Sequence, residues 1–367
     1  MNVLHLGKFG PPREGGIELF TYDLLEYLNN NSIKADLLCF DNITRRGTYK
    51  NFQYYSCKTN FIINSAPFSF DYCRIFKEIK NNYDLIHIHS PNPIAEVLAL
   101  SCNKNIVIHW HSDIVRQKII YLIYKAIQKK VLKRSKIIVC TSPHYLETSV
   151  QLEGFKDKCV VIPLGLAQER LNNKSDLYNE KLFNALKNKR IVLSIGRLVK
   201  YKGFEYLIDS AKYLSEEIII CIAGAGKLYN KLQKRILKND LQNKVILLGK
   251  VSNISFWMRK CDLFCLPSVS RNEAFGLVLV EAFYFGKPVI TTNVNGSGMN
   301  FINMDGITGF VVNHEDSKAI ANAINTILSN ENLRKKFSQN AIERFKEFEI
   351  DKVGENIKML YEEILSK

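Results

Sequence analysis

The chain has 367 residues, 46% of them apolar, and carries a formal net charge of +15. That length exceeds what one hydrophobic core supports and the composition is that of an ordinary globular protein, so two domains are expected. No apolar run approaches the ~18 residues of a membrane span, and Met1 leads straight into a short strand without a basic n-region or cleavage site, so a cytoplasmic protein is expected. The nine cysteines are scattered, with only Cys261 and Cys265 close together, which argues against a disulfide framework or a zinc module.

Short apolar strands alternate with helical segments, and the pattern runs twice. The first series predicts strands at Val3–Leu6, Ala35–Phe40, Leu85–His89, Ile106–Trp110, Ile137–Cys140 and Val160–Pro163, with helices over 16–30, 92–102, 114–134 and 143–150. The second predicts strands at Ile191–Ile195, Ile218–Ala223, Val245–Leu248, Leu263–Leu266, Pro288–Thr291 and Phe310–Val312. Its helices fall at 203–214, 226–239, 252–260, 275–286, 316–330 and 332–346. Such alternation requires parallel sheets with right-handed crossovers, hence an α/β fold of two doubly wound domains. The expected division is a first domain over 1–168, a polar linker over 169–189, a second domain over 190–350 and a last helix over 351–367. Sites in such sheets lie at the carboxyl ends of strands, so a site is expected in a cleft between two facing sheets.

Between Ile114 and Lys136 stand eight Lys or Arg and no acidic residue, interleaved with Ile119, Ile120, Leu122, Ile123, Ile127, Val131 and Leu132. A basic amphipathic helix of this kind suits an anionic membrane surface; a solvated helix of a basic protein accounts for it as well. No nucleic-acid-binding signature accompanies the charge, and no nucleic-acid partner is expected.

The candidate site residues fall at strand ends. After the first strand come Gly7, Gly10 and the pair Gly15 and Gly16, then a helix whose amides could approach a phosphate; a loop that needs glycine for its turn is the other reading. Gly224 and Gly226 also follow a strand, but without the third glycine of a dinucleotide fingerprint. Arg197 and Lys202 follow the strand Ile191–Ile195, with Lys202 at the start of a helix, where a cation opposes the dipole unless an anion such as a diphosphate bridges it; ordinary surface exposure is the other reading. His87 with His89, and His109 with His111, share strand faces. A metal bound by them is disfavoured for want of acidic or cysteine company, and none is expected. His111, at a strand's carboxyl end, could bond a substrate hydroxyl or reacting group; a satisfied structural histidine is the other reading.

Glu273 and Glu281 frame a stretch that is apolar round the helical wheel from Ala274 to Phe285, apart from Glu281, Tyr284 and Gly276. Glu281 is therefore expected to be buried, at a cost unless something hydrogen-bonds it. If the whole segment is helical, the two carboxylates stand about 12 Å apart along the axis, the reach from a ribose across a diphosphate to a sugar.

The run Ser268 to Gly276 through Glu281, with Gly196-Arg197, Lys202-Gly203, the N-terminal glycine loop and Thr308 to Val312, resembles the signature of glycosyltransferase family 4. The segments His109 to Gln117 and His89 to Pro93 are similar to a bacterial branch that assembles O-antigen or related polysaccharides, mannosyltransferases among them. The resemblance implies the GT-B fold, two facing Rossmann-like domains, and retaining transfer from a nucleotide sugar. It implies an acceptor-binding first domain and a nucleotide-sugar-binding second domain, with the last helix crossing back to the first. It assigns Glu281 to the ribose, Arg197 and Lys202 to the diphosphate, Glu273 to the donor sugar, the amides near Phe275, Gly276 and Leu277 to sugar and phosphate, Gly16 to the diphosphate, and His111 to the reacting sugar. No catalytic metal or other cofactor is implied. The expected partners are a GDP- or UDP-linked donor, GDP-mannose first, an undecaprenyl-diphosphate-linked saccharide acceptor, and the inner face of the cytoplasmic membrane through residues 114–136. A sugar-nucleotide epimerase of the same fold and a non-catalytic carbohydrate-binding protein remain as alternatives. The loop Asn293 to Asn300 departs from the family's glycine pair and acidic residue, which puts donor contacts from it in question.

Overall fold

The computed structural model describes all residues except 14, 64, 65, 115–117, 173–179, 181, 182 and 367, and only the backbone of 118–123. Its strands are short and apolar because each is covered on both faces, the usual condition of a parallel sheet. The chain divides into two compact units: Met1–Leu166 with Phe348–Lys367, and Ala167–Glu347.

In the first unit, β1 (Asn2–Phe9), β2 (Lys34–Asp41), β3 (Arg45–Tyr49), β4 (Phe52–Lys58), β7 (Leu85–Ser90), β8 (Asn105–Trp110), β9 (Ile137–Cys140) and β10 (Cys159–Val161) form one sheet. Its order is β10-β9-β8-β7-β1-β2-β4-β3, parallel except for β3 against β4. A small antiparallel hairpin, β5 (Phe61–Ile63) with β6 (Ala66–Phe68), stands apart from it. The connection order reverses between β1 and β7, so the carboxyl ends of those strands are the natural place for a site. The helix Ile350–Ser366 packs on the helix Gly16–Asn30, and Tyr27 donates to Glu355 at 2.9 Å. Gly354 permits that approach, since a Cβ there would lie 2.2 Å from the Tyr27 ring.

The second unit has a six-stranded, wholly parallel sheet. It contains β11 (Arg190–Ile195), β12 (Ile218–Ala223), β13 (Val245–Gly249), β14 (Leu263–Leu266), β15 (Val289–Asn293) and β16 (Gly309–Asn313), ordered β13-β12-β11-β14-β15-β16. Val192, Ile220 and Leu263 pack with Leu207 and Ile324 in one core. Here the order reverses between β11 and β14, the switch point of a Rossmann sheet.

Several segments differ from expectation, the hairpin β5–β6 and the short helix Met299–Ile302 among them. Strands β3 and β4 were not foreseen: β3 is polar and lies at the sheet edge, where one flank needs no apolar cover. The helix Phe70–Ile79, capped by Ser69, was missed as well. The helix expected over 275–286 runs only from Leu277 to Tyr284, because Gly276 adopts φ +94° and ends the turn that precedes it.

Candidate functional site

Two loops leave the switch point of the second unit, 196–203 from β11 and 267–276 from β14. The aliphatic end of Lys202 folds back over Gly196, where a Cβ would come within 3.1 Å of Cε and 3.2 Å of Nζ. Its ammonium reaches Glu273 Oε2 at 2.5 Å, both side chains being about one-tenth exposed. Ser268 donates to the same oxygen at 3.1 Å. The anion that a cation at this helix start required is thus Glu273 itself, so the separate placement of Lys202 and Glu273 gives way to a directly bonded pair. Arg197 lies outside the pair: it is exposed and donates to the Tyr201 hydroxyl at 3.3 Å. The loop 293–300 braces Glu273 from behind. Ser297 donates to the Glu273 carbonyl, and the Gly298 amide donates to Ala274 O at 2.8 Å.

Glu273 sits in a turn, not on the helix, so the 12 Å helical spacing of the two glutamates does not apply. Glu281 is inside Leu277–Tyr284 and is buried as expected. Its charge is met by Arg170, whose Nη2 lies 3.3 Å from Oε1. Arg170 went unnoticed because it stands in the short turn Gln168–Leu171, within a stretch that reads as polar linker. No side chain caps the first turn of Leu277–Tyr284. Its leading amides therefore point, with the positive end of the helix dipole, toward the loops that carry Lys202 and Glu273.

Gly224 and Gly226 have a packing role. A Cβ on Gly224 would lie 1.9 Å from Gly196 O, and one on Gly226 would lie 2.5 Å from Leu198 O. Gly196 and Leu198 donate in turn to the carbonyls of Ala223 and Ala225, at 3.0 Å each. These glycines let the loop bearing Arg197 lie flat on its neighbour, which accounts for a Gly-x-Gly without a dinucleotide.

In the first unit, Gly7 and Gly10 pack against Leu37 and Cys39 of β2. Gly15 is the N-cap of Gly16–Asn30, and no side chain caps that helix. A Cβ at Gly15 would meet Glu18 Oε2 at 2.2 Å, so Gly7 and Gly10 serve packing, as the turn reading expects, and Gly15 leaves room for the Glu18 carboxylate. His5 joins the four expected histidines, because β1 pairs with β7 in the register His5↔His87 and β7 with β8 in the register His89↔His109. All five are buried, and Tyr361 of the last helix closes the set. Burial lowers the pKa of each far below the ordinary value, to about 3 for His89, and neighbouring rings lower the other four further.

The basic helix is Lys118–Arg134; Arg116 and the side chains of Lys118 to Ile123 lie outside the described residues. Tyr124, Val131 and Leu132 face inward. Arg134 is occupied by the carbonyls of Ala99 and Cys102, whereas Lys125, Lys129, Lys130 and Lys133 are exposed. Most of the apolar stripe of the described half is therefore core, with Ile127 half-buried, and the lysines face outward with Ala126. Among the described residues no helix is long and apolar enough to cross a membrane.

Residues 14–170 match the family model for Glycosyltransferase Family 4, and residues 179–344 match that for Glycosyl transferases group 1. The chain is 32% identical to the O-antigen chain mannosyltransferase C of Escherichia coli, over 95% of this chain and 94% of that one. It is 28% identical to the UDP-Gal:alpha-D-GlcNAc-diphosphoundecaprenol alpha-1,3-galactosyltransferase of Escherichia coli, over 77% and 76%. The crystal structure of Anabaena HepE in complex with UDP matches with a TM-score of 0.82 at 21% identity, over 99% and 100% of the two chains. Two parallel-sheet units of this topology make the fold GT-B, and the family models with the 32%-identical relative make the protein a glycosyltransferase. The chain belongs to glycosyltransferase family 4.

Proposed function

We propose that the protein is a retaining transferase that moves a hexosyl group, α-mannosyl from GDP-mannose, onto an undecaprenyl-diphosphate-linked oligosaccharide in O-antigen or related polysaccharide synthesis. The observation that carries this reading is the Lys202–Glu273 pair at the switch point, beside the uncapped start of Leu277–Tyr284. As the bond to the sugar breaks, negative charge grows on the departing diphosphate. A buried ammonium, the Arg197 guanidinium and helix amides are the groups that stabilise it without metal. Glu273, released from Lys202 as phosphate arrives, is left to accept hydrogen bonds from sugar hydroxyls. Glu281, held by Arg170 about one turn into Leu277–Tyr284, is assigned to accept from the ribose. His111 is assigned to the reacting sugar from the first unit. The mannosyl donor and the lipid-linked acceptor draw on what the two Escherichia coli relatives are named for.

A UDP-hexose donor is the second reading, favoured by the Anabaena structures that hold UDP and UDP-glucose. Purified protein offered GDP- and UDP-sugars with a synthetic lipid-diphosphate saccharide is expected to release GDP from GDP-mannose only when acceptor is present. Turnover confined to a UDP-sugar favours the second reading, and conversion of the donor without acceptor points to the epimerase.

We also assign the protein to the inner face of the cytoplasmic membrane. Lys125, Lys129, Lys130 and Lys133 offer exposed charge, and Phe61, Ile62 and Ile63 of the hairpin are between 44% and 62% exposed. Near an anionic surface each lysine contributes about 1 kcal/mol. Replacing all four with Gln is expected to abolish flotation with anionic liposomes, as added salt does; binding that survives both rejects the assignment.

A further inference from the structure

Two kinds of contact join the five buried histidines of the first unit. His5 with His87 and His109 with His111 are stacked, with ring centroids 4.5 and 4.4 Å apart and planes within 8° and 6°. His5 with His89 and His89 with His111 meet differently. Their nitrogens approach to 3.1 Å (His5 Nδ1, His89 Nε2) and 2.9 Å (His89 Nδ1, His111 Nε2). Their centroids, 5.3 and 5.2 Å apart, exceed those N···N distances by nearly two full ring radii, the most that rings joined through those atoms allow. These rings therefore meet edge to edge along their hydrogen bonds, as imidazoles do in a chain. The chain continues to Tyr361, whose hydroxyl lies 3.3 Å from His5 Nε2 and 2.5 Å from His87 Nδ1.

From this arrangement we infer that Tyr361, His5 and His89 are positioning residues that hold His111 as the Nδ1–H tautomer, so that His111 meets the substrate as a hydrogen-bond donor and not as a base. The inference rests on the reading of His111 as the side chain at the reacting sugar. Burial keeps all five rings neutral, so each has one N–H and one lone pair. Each junction needs one of each, and a junction with two hydrogens or two lone pairs breaks the chain. Hence His5, His89 and His111 share one tautomer. Thr21 sets which. Its hydroxyl donates to Ile17 O at 2.8 Å and so presents a lone pair to His89 Nδ1, 3.4 Å away. His89 thus carries its proton on Nδ1 and donates to His111 Nε2, which leaves the proton of His111 on Nδ1. In the other direction His5 donates from Nδ1 to His89, Tyr361 donates to His5 Nε2, and His87 donates from Nδ1 to the Tyr361 oxygen. Among the described residues His111 Nδ1 has no hydrogen-bond partner, so its N–H is the unsatisfied donor at this end of the chain, the one a substrate group would satisfy; His109, stacked beside it and outside the chain, has neither nitrogen bonded.

The same nitrogens fall within 4.8 Å of one another in two groups of three, His5, His87 and His89, and His89, His109 and His111. A metal needs an in-plane lone pair from each ring. Both nitrogens of His89 are already engaged, and the stacked pairs direct their lone pairs side by side, so the hydrogen-bond chain is the better account.

Long-range 15N–1H correlation on the histidine-labelled protein at pH 7, assigned with His5→Asn, His89→Asn and His111→Asn, reads the tautomers directly. His5, His89 and His111 are expected to show the proton on Nδ1. Thr21→Val is expected to move His5, His89 and His111 together toward Nε2–H and to lower kcat roughly tenfold, the worth of one hydrogen bond, with KM unchanged. Thr21→Ser restores both. Tyr361→Phe is expected to shift the His111 ring nitrogens through two intervening rings. The inference is overturned by mixed tautomers, by an imidazolium, by collapse of the chain onto added Zn2+, or by a His111 signal that Thr21→Val leaves unmoved in a folded protein. Full transfer by His111→Ala is a separate outcome. It removes the sugar reading, and with it the donor role, while the tautomer result stands alone.

Discussion

Lys202→Ala is expected to lower kcat by roughly 100- to 1,000-fold, the loss seen when one preorganised group facing a developing negative charge is removed. The same change is expected to destabilise the protein by about 3 kcal/mol, because Glu273 would be left nearly buried without its cation. The two effects are separable. Lys202→Met combined with Glu273→Gln removes both charges while keeping the volume, and should return the urea midpoint close to that of the wild type without restoring transfer. A Lys202→Ala enzyme with normal kcat would remove the ammonium from the reaction and leave Lys202 a structural partner of Glu273.

The second large effect concerns pH. His5, His87, His89, His109 and His111 are neutral when folded, with pKa values pushed far below 6.5 by burial, whereas the unfolded chain protonates them near 6.5. The unfolded state therefore binds more protons once the pH drops below 6.5, and stability falls with it; above 6.5 the contribution is fully present. Each histidine costs about 1.4 kcal/mol per pH unit in that window, so five cost about 7, against a typical total of 5–15 kcal/mol. Acid unfolding of the first unit is expected near pH 5, well above the range set by carboxylates. The chain has two tryptophans, Trp110 next to the histidines and Trp257 in the second unit, so fluorescence of a Trp257→Phe variant reports the first unit alone. A transition at pH 3–4 would mean that the buried rings accept protons without unfolding.

Most parallel strands were legible because a doubly covered strand must be a short apolar run, and Leu263–Leu266 or Ile218–Ala223 can be little else. Strand β3 was not, since an edge strand such as Arg45–Tyr49 owes its place to β4 and shows no apolar pattern of its own. The same division holds in the site. Lys202, Glu273 and Glu281 stood out because a charge beside a buried or helix-starting position demands a partner. The partners themselves, Glu273 for Lys202 and Arg170 for Glu281, are fixed by packing between residues 71 and 111 positions apart, which no local pattern encodes. His5 was missed for a related reason. One histidine in a strand is unremarkable until β1 is known to lie beside β7.

The return of helix Ile350–Ser366 to the first unit has a consequence for synthesis. The hydroxyl of Tyr361, which closes the histidine set, and the helix that covers Gly16–Asn30 leave the ribosome only after the whole of Ala167–Glu347. At about 5–20 residues per second the nascent first unit waits roughly ten to forty seconds with its core uncovered, while the second can close as soon as it emerges. The order of maturation is then the reverse of the order of translation, and a nascent chain arrested before residue 348 should expose the first unit to chaperones and proteases while protecting the second.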